Sequence, residues 1–324
     1  MGQVMLALIP GTMVMVHALG TGVIINLVVL TLSSVACEAG LLALRKRPVF
    51  SVLADGSIIL AAWLLALCLP PALPINQLIL GAVAMTVLGK HVYGGLGQNP
   101  FNPAMVGYAI LLISFPQSMT LWFDPIVLSE LSAEGFTSFS NWWNLKWQPA
   151  LYVHQWDSVT QATPLDSLRT VQRQDLTPNP ALNQTTVTTR VSTSPWFEIS
   201  IAWMIGGLYL LALGIIRWHI PVAMLLTTAF AHLVHAGFYP DASLNPLSAL
   251  MYGGLMLGAF FIATDPVTAP SSTRARLCYG AGIGVLIVVL RTSSNYPEGV
   301  AFAVLLMNSV TPLLDRLFVL ETRS

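Results

Sequence analysis

Charged side chains are nearly missing from this chain, and those present are unevenly spread. Of its 324 residues only 28 are charged, 14 Lys or Arg against 14 Asp or Glu. A soluble domain carries about 25% charged residues, nearly three times the 9% found here. So few charges cannot clothe a water-exposed surface, and 55% apolar residues make the chain too hydrophobic for disorder. A net charge of zero gives no basic face for nucleic acid. What remains is an all-α polytopic membrane protein whose main contact is the lipid bilayer. Eleven of the 28 charges fall within residues 118–198, so the chain reads as membrane, one polar insert, membrane.

A bilayer core takes about 20 apolar residues per helix, fewer where the ends snorkel. On that measure ten spans are expected: Val4–Leu19, Val23–Leu44, Ser57–Leu69, Leu78–Val92 and Pro103–Ser114, then Ile199–Ile216, Pro221–His235, Leu247–Ala263, Arg276–Leu290 and Val300–Leu317. The domains are accordingly a first membrane repeat at 1–117, a long insert at 118–198 and a second repeat at 199–324. Loop cations orient the spans. With both termini cytoplasmic, Arg45, Lys46, Arg47, Lys90, Arg217, Arg274, Arg276, Arg316 and Arg323 all lie on one side, leaving Arg291 as the short-loop exception. The insert then falls on the extracytoplasmic side. The apolar N-terminus lacks the basic stretch of a cleavable signal peptide.

The two halves echo each other. Leu67–Pro71 closes the third span as Ala263–Val267 closes the eighth. Gly81 answers Gly280, and Asn99–Ala104 enters the fifth span as Tyr296–Ala301 enters the tenth. Five helices separate equivalent points, so the two five-helix repeats are inverted across the membrane.

Several stretches could carry chemistry. Residues 157–166, Asp-Ser-Val-Thr-Gln-Ala-Thr-Pro-Leu-Asp, form a small polar segment in which Pro164 biases Thr163 toward an extended conformation. Its hydroxyl is then either exposed for modification or spent on an ordinary turn. In Gly94-Gly95-Leu96-Gly97-Gln98-Asn99-Pro100-Phe101-Asn102 the glycines permit close backbone approach to a ligand, and Asn99 and Asn102 offer amide donors and acceptors. A plain tight turn between spans explains the same residues. Ionisable groups at membrane depth are costly and therefore functional candidates: Glu38, Lys90, His232 and His235. Asp265 and Glu298 stand at the corresponding breaks of the second repeat, where half-helix ends can coordinate a cation. Six of the nine Trp lie in the insert, fitting an interfacial belt, while Trp142, Trp143 and Trp147 could instead pack on a ring or a partner. Cys37, Cys68 and Cys278 are far apart in apolar runs and read as buried, inert thiols, so no metal site is expected.

Residues 157–166 resemble the flavinylation signal of the NqrB/RnfD family. The Gly-rich turn, residues 258–268 and residues 296–306 resemble further motifs of that family, and the likeness runs from about residue 4 to 317. Gln161 stands where the commoner pattern has Gly, which places the likeness nearer the RnfD branch, a membrane component of the ion-translocating Rnf electron transport complex. The resemblance implies FMN attached through its phosphate to Thr163 by a flavin transferase, with Asp157, Thr160 and Ala162 as recognition positions. It also implies a second, non-covalent flavin (riboflavin), for which Asn99 and Asn102 are candidate neighbours. It implies a multi-pass protein of the bacterial inner membrane, with the insert periplasmic and both termini cytoplasmic. Other subunits of a ferredoxin:NAD oxidoreductase complex would be its partners, and Na⁺ or H⁺ its cargo, with Asp265, Glu298 and Glu38 as ion-pathway candidates. No dinucleotide fingerprint and no Fe–S cysteine cluster occurs, so the chain is not catalytically complete alone. Family members carry a further polar segment before the first span, and any role of that segment lies outside this sequence. Apart from the resemblance, a solute channel or secondary transporter of inverted-repeat fold, or a redox scaffold with a degenerate flavin site, fits the same pattern.

Overall fold

The computed structural model describes residues 1–95, 97–123, 139–147, 195–238, 246–293 and 299–320. The chain divides into two compact units, Met1–Gln161 and Ala162–Ser324. Among the described residues the regular structure is helical.

In the first unit the helices are α1 (Gly2–Leu19), α2 (Gly22–Leu44), α3 (Val49–Leu53), α4 (Ser57–Cys68), α5 (Ile75–Thr86), α6 (Pro103–Ser114), α7 (Pro116–Thr120) and α8 (Phe139–Trp147). α5 runs into one widened π turn, Val87–His91. In the second unit they are α9 (Pro195–Ala212), α10 (His219–Phe238), α11 (Pro246–Met251), α12 (Leu255–Leu257), α13 (Thr273–Ser293) and α14 (Val300–Leu320). A second π turn, Gly258–Ile262, follows α12. Six helices are long and apolar enough to cross a membrane: α1, α2, α9, α10, α13 and α14. The shorter apolar ones, α4 and α6, end at the Leu69–Pro74 link and at Phe115–Pro116.

These helices are built the opposite way round from those of a soluble protein. On α2 the side chains of Ile24, Val28 and Leu32 face outward, while Asn26, Ser34 and Glu38 are wholly buried. On α10 Val222, Leu226, Phe230 and Leu233 face outward and Thr228 and His232 inward. Apolar outside and polar inside is the arrangement that lipid selects, because polar groups can be satisfied only within the protein.

The two units show matching internal order. In the first, α2 packs on α4 and α5, and α5 on α6. In the second, α10 packs on α11 and α13, and α13 on α14. Helices α2, α5 and α6 start at Gly22, Ile75 and Pro103, and α10, α13 and α14 at His219, Thr273 and Val300, separations of 197 or 198 residues. Gly81 and Gly280 do not share a packing partner, however. Gly81 abuts Leu111 of α6, whereas Gly280 abuts Ile220 and Ala223 of α10.

Three expectations are changed by the packing. Arg291 is not a loop cation: it is buried, and its guanidinium donates to the carbonyls of Ala249 (2.8 Å) and Tyr252 (3.1 Å) at the end of α11. That is a favourable place for positive charge. Cys278 is exposed, and Cys37 and Cys68 are half-buried, so none of the three is the fully buried thiol expected. Trp142 is neither belt nor ring platform, since it is 1% exposed and meets Phe123 edge-on at 5.2 Å. Its seat requires glycine in α2: a Cβ on Gly22 would lie 2.6 Å from the Trp142 ring and 2.8 Å from the Pro71 carbonyl oxygen.

The insert's helix α8 is therefore fastened to the first unit, not free of it. Gly22→Leu is expected to expel Trp142, at a cost of about 1–3 kcal/mol typical of overpacking. Expulsion would free the buried Lys146 side chain and open the bond after it to trypsin. Unchanged resistance at that bond would contradict this packing.

Candidate functional site

The polar groups of the first unit converge on α2. Near its C-terminal end Glu38 is completely buried, and its Oε1 accepts a hydrogen bond from Lys90 Nζ at 2.6 Å. The same ammonium donates to Ser57 Oγ at 2.9 Å, and His91 Nε2 lies 3.2 Å from Glu38 Oε1. Three elements meet here: α2 brings the carboxylate, the first residue of α4 the hydroxyl, and the π turn both the Lys90 ammonium and the His91 ring. The π turn is held by the Val92 amide donating to the Val87 carbonyl at 2.9 Å, and π turns recur at functional sites. Gly89 makes it possible, because a Cβ there would lie 2.8 Å from Pro103 Cα. Glu38 Oε2 and His91 Nδ1 are buried without a hydrogen-bond partner. So the cluster retains one free acceptor and one free ring nitrogen.

The Gly-rich turn begins where this cluster ends. Arg45 donates to the His91 carbonyl at 3.1 Å, and Arg47 to the Gly94 carbonyl at 3.4 Å, so the basic loop after α2 caps the end of α5. Gly94, Gly95 and Gly97 have φ of 111°, 113° and 84°, a region L-residues rarely adopt. A Cβ on Gly95 or Gly97 would meet nothing within 4 Å.

Asn99 and Asn102 are each 3% exposed. Asn102 Oδ1 accepts from the Met105 amide at 3.3 Å and caps α6. Asn99 Nδ2 donates to the Phe101 carbonyl at 3.0 Å, and its buried Oδ1 has no hydrogen-bond partner. A flavin ring edge, which offers N–H donors, fits that orphaned acceptor. Asn102 is committed to helix capping, which sequence reading did not separate from ligand binding.

In the second unit Asp265 follows the π turn Gly258–Ile262. Its Oδ1 accepts from the Val267 amide at 3.1 Å and its Oδ2 from Thr268 Oγ1 at 3.4 Å, so it closes the turn leading toward α13. Burial pushes its carboxyl above the usual carboxylate range, while those two hydrogen bonds pull the other way. Thr163, Asp157, Thr160, Ala162 and Glu298 lie outside the described residues.

Sequence reasoning passed over Asn26, Ser57, His91 and Lys146. The last belongs to α8, is 1% exposed, and donates to Asn26 Oδ1 at 2.5 Å and to the Leu73 carbonyl at 3.2 Å. Asn26 Nδ2 in turn donates to the Pro70 carbonyl at 3.0 Å. An Asn among the apolar residues of the first half of α2 was the available signal.

Residues 1–322 match the NQR2, RnfD, RnfE family. The chain belongs to that family. It is 43% identical over 316 residues to a protein of Pectobacterium atrosepticum named as the D-subunit of an ion-translocating oxidoreductase complex, covering 96% of this chain and 90% of the relative. The like-named protein of Vibrio cholerae serotype O1 is 42% identical over 319 residues, covering 97% and 91%. That of Escherichia fergusonii is 38% identical over 317 residues, covering 96% and 90%. With six apolar helices of spanning length, this family member is a multi-pass membrane protein.

Proposed function

We propose that the chain is a membrane subunit of an ion-translocating oxidoreductase complex, carrying covalent FMN on Thr163 and relaying electrons between ferredoxin- and NAD-linked partner subunits. The observation that carries this reading is the end-to-end similarity to relatives named as part of such a complex. The 157–166 stretch with its Thr-Pro pair supports it. FMN, when bound, supplies one-electron transfer. Thr163 holds it against dissociation, and Asp157, Thr160 and Ala162 are what a flavin transferase reads. Asn99 and the glycine turn are the part of the first unit suited to a second flavin, riboflavin.

The matched helix starts and neighbour order of the two units support ten spans in two inverted repeats. α4, α5 with its π turn, α6 and the α11–α12 segment complete the crossings. On this reading both termini are cytoplasmic, the protein sits in the bacterial inner membrane, and the 118–198 insert is periplasmic. Na⁺ or H⁺ is the cargo. Glu38 is the candidate best supported by its surroundings, having a buried free oxygen; Asp265 and Glu298 serve the second repeat.

The test is covalent yellow fluorescence on a denaturing gel after production together with the flavin transferase. A dark band from fully matured complex would remove the redox reading. For the ion path, Asp265→Asn is expected to lower ion-coupled turnover severalfold while Thr163 keeps its FMN. Undiminished ion transport in that variant would take Asp265 off the path.

A further inference from the structure

The side chains of α2 that point into the first unit form one stripe. Asn26, Leu30, Ser34 and Glu38, spaced by four residues, are all 0% exposed. From Asn26 to Glu38 the stripe rises about 18 Å at 1.5 Å per residue, more than half of a bilayer core. The hydroxyls of Thr31 and Ser34 are buried along it without a hydrogen-bond partner, an expensive arrangement in an apolar setting.

Each end of the stripe is a cluster of oxygens filled by a lysine of the same chain. At one end Glu38 Oε1 and Ser57 Oγ hold the Lys90 ammonium at 2.6 and 2.9 Å. At the other, Asn26 Oδ1 and the Leu73 carbonyl hold the Lys146 ammonium. The Leu73 carbonyl belongs to the non-helical Leu69–Pro74 link between α4 and α5. Unwound carbonyls beside a side-chain amide oxygen make a site for a small monovalent cation.

We propose that the α2 stripe is a cation path through the first unit, and that Lys90 and Lys146 are tethered ammonium groups occupying its two end sites in place of the cargo. The cargo-carrying half of this inference rests on the ion-translocating reading above. Lys146, arriving on α8 from the insert, closes the end near Asn26, with Trp142 packed beside it as the plug.

Among the described residues no acidic or basic side chain reaches Lys146 from α2, from the Leu69–Pro74 link or from α8 itself. Burial alone brings its pKa down to about 7. The amine therefore gives up its proton to solvent near neutrality, and a free cation can replace it. The stability consequence has a definite sign. Between pH about 7 and the ordinary lysine range the unfolded chain binds the extra proton, so stability rises with pH across that window. Lys146→Met is expected to lack that rise.

The test uses the intact complex. Lys146→Ala empties the Asn26–Leu73 site, and its thermal midpoint is followed in sodium chloride against choline chloride at matched ionic strength. At a pH about one unit below the Lys146 pKa of about 7, where the wild-type amine keeps its proton, a saturable rise of several degrees with sodium, absent with choline and absent in wild type, is expected. Equal responses to the two salts would overturn the proposal. Should Lys146→Ala not assemble, Lys146→Met in proteoliposomes decides instead. Wild-type ion transport is expected to show an inflection near neutral pH that Lys146→Met lacks, and identical pH profiles for the two would overturn the path. In-gel flavin fluorescence scored on the same preparations tests the redox reading separately, since the salt response does not depend on the flavin.

Discussion

Lys90→Ala is expected to destabilise the protein by about 3–5 kcal/mol, the range found when one partner of a buried ion pair is removed. The variant strands the Glu38 carboxylate among apolar side chains, with only His91 and the Ser57 hydroxyl nearby. Glu38→Gln should cost less, because Lys90 keeps the Ser57 hydroxyl as a partner and the new amide oxygen can still accept from its ammonium. The double variant Glu38→Gln/Lys90→Met removes both charges and should recover most of the loss. Thermal unfolding of the purified complex measures all three. A double variant no more stable than Lys90→Ala would show that the pair contributes through packing and not through charge. The singles should also lower ion-coupled turnover, whereas loss of stability with transport per folded complex unchanged would leave Glu38 a purely structural anion.

Thr163→Ala is the second large effect, and it is all-or-none. Without the hydroxyl there is no atom to accept the flavin phosphate, so covalent fluorescence should vanish and electron flow through the complex should collapse. The substitution removes only a hydroxyl and a methyl group, so the variant is expected to keep the wild-type thermal midpoint. Retained fluorescence in Thr163→Ala would move the attachment point elsewhere and remove the role given to the 157–166 stretch.

How much of this was legible beforehand depends on the residue. Helix positions could be read because long uncharged runs leave little alternative. The expected Pro103–Ser114 is the observed α6, and the expected Val23–Leu44 differs from α2 by one residue. Glu38 and Lys90 stood out because charge at membrane depth is rare. Their union depends on the π turn, which adds a residue to the helix and leaves no mark in hydropathy.

Lys146 was hidden for a different reason. A lysine in a polar insert looks ordinary, and only packing shows that α8 carries it into contact with Asn26 and Leu73. Arg291 misled in the opposite sense, counting as a misplaced loop charge when it caps the carbonyl end of α11. Thr163 is a third case. The physics of the residues leaves both an exposed hydroxyl and an ordinary turn open, and family resemblance alone singles that hydroxyl out.

The measurement bearing most directly on the account is the intact mass of the proteolytic peptide containing Thr163, taken from complex matured with its flavin transferase. An adduct of FMN less one water, localised by fragmentation to Thr163 and absent from Thr163→Ala, is expected. A peptide at its unmodified mass, from complex that assembles and turns over, would contradict it.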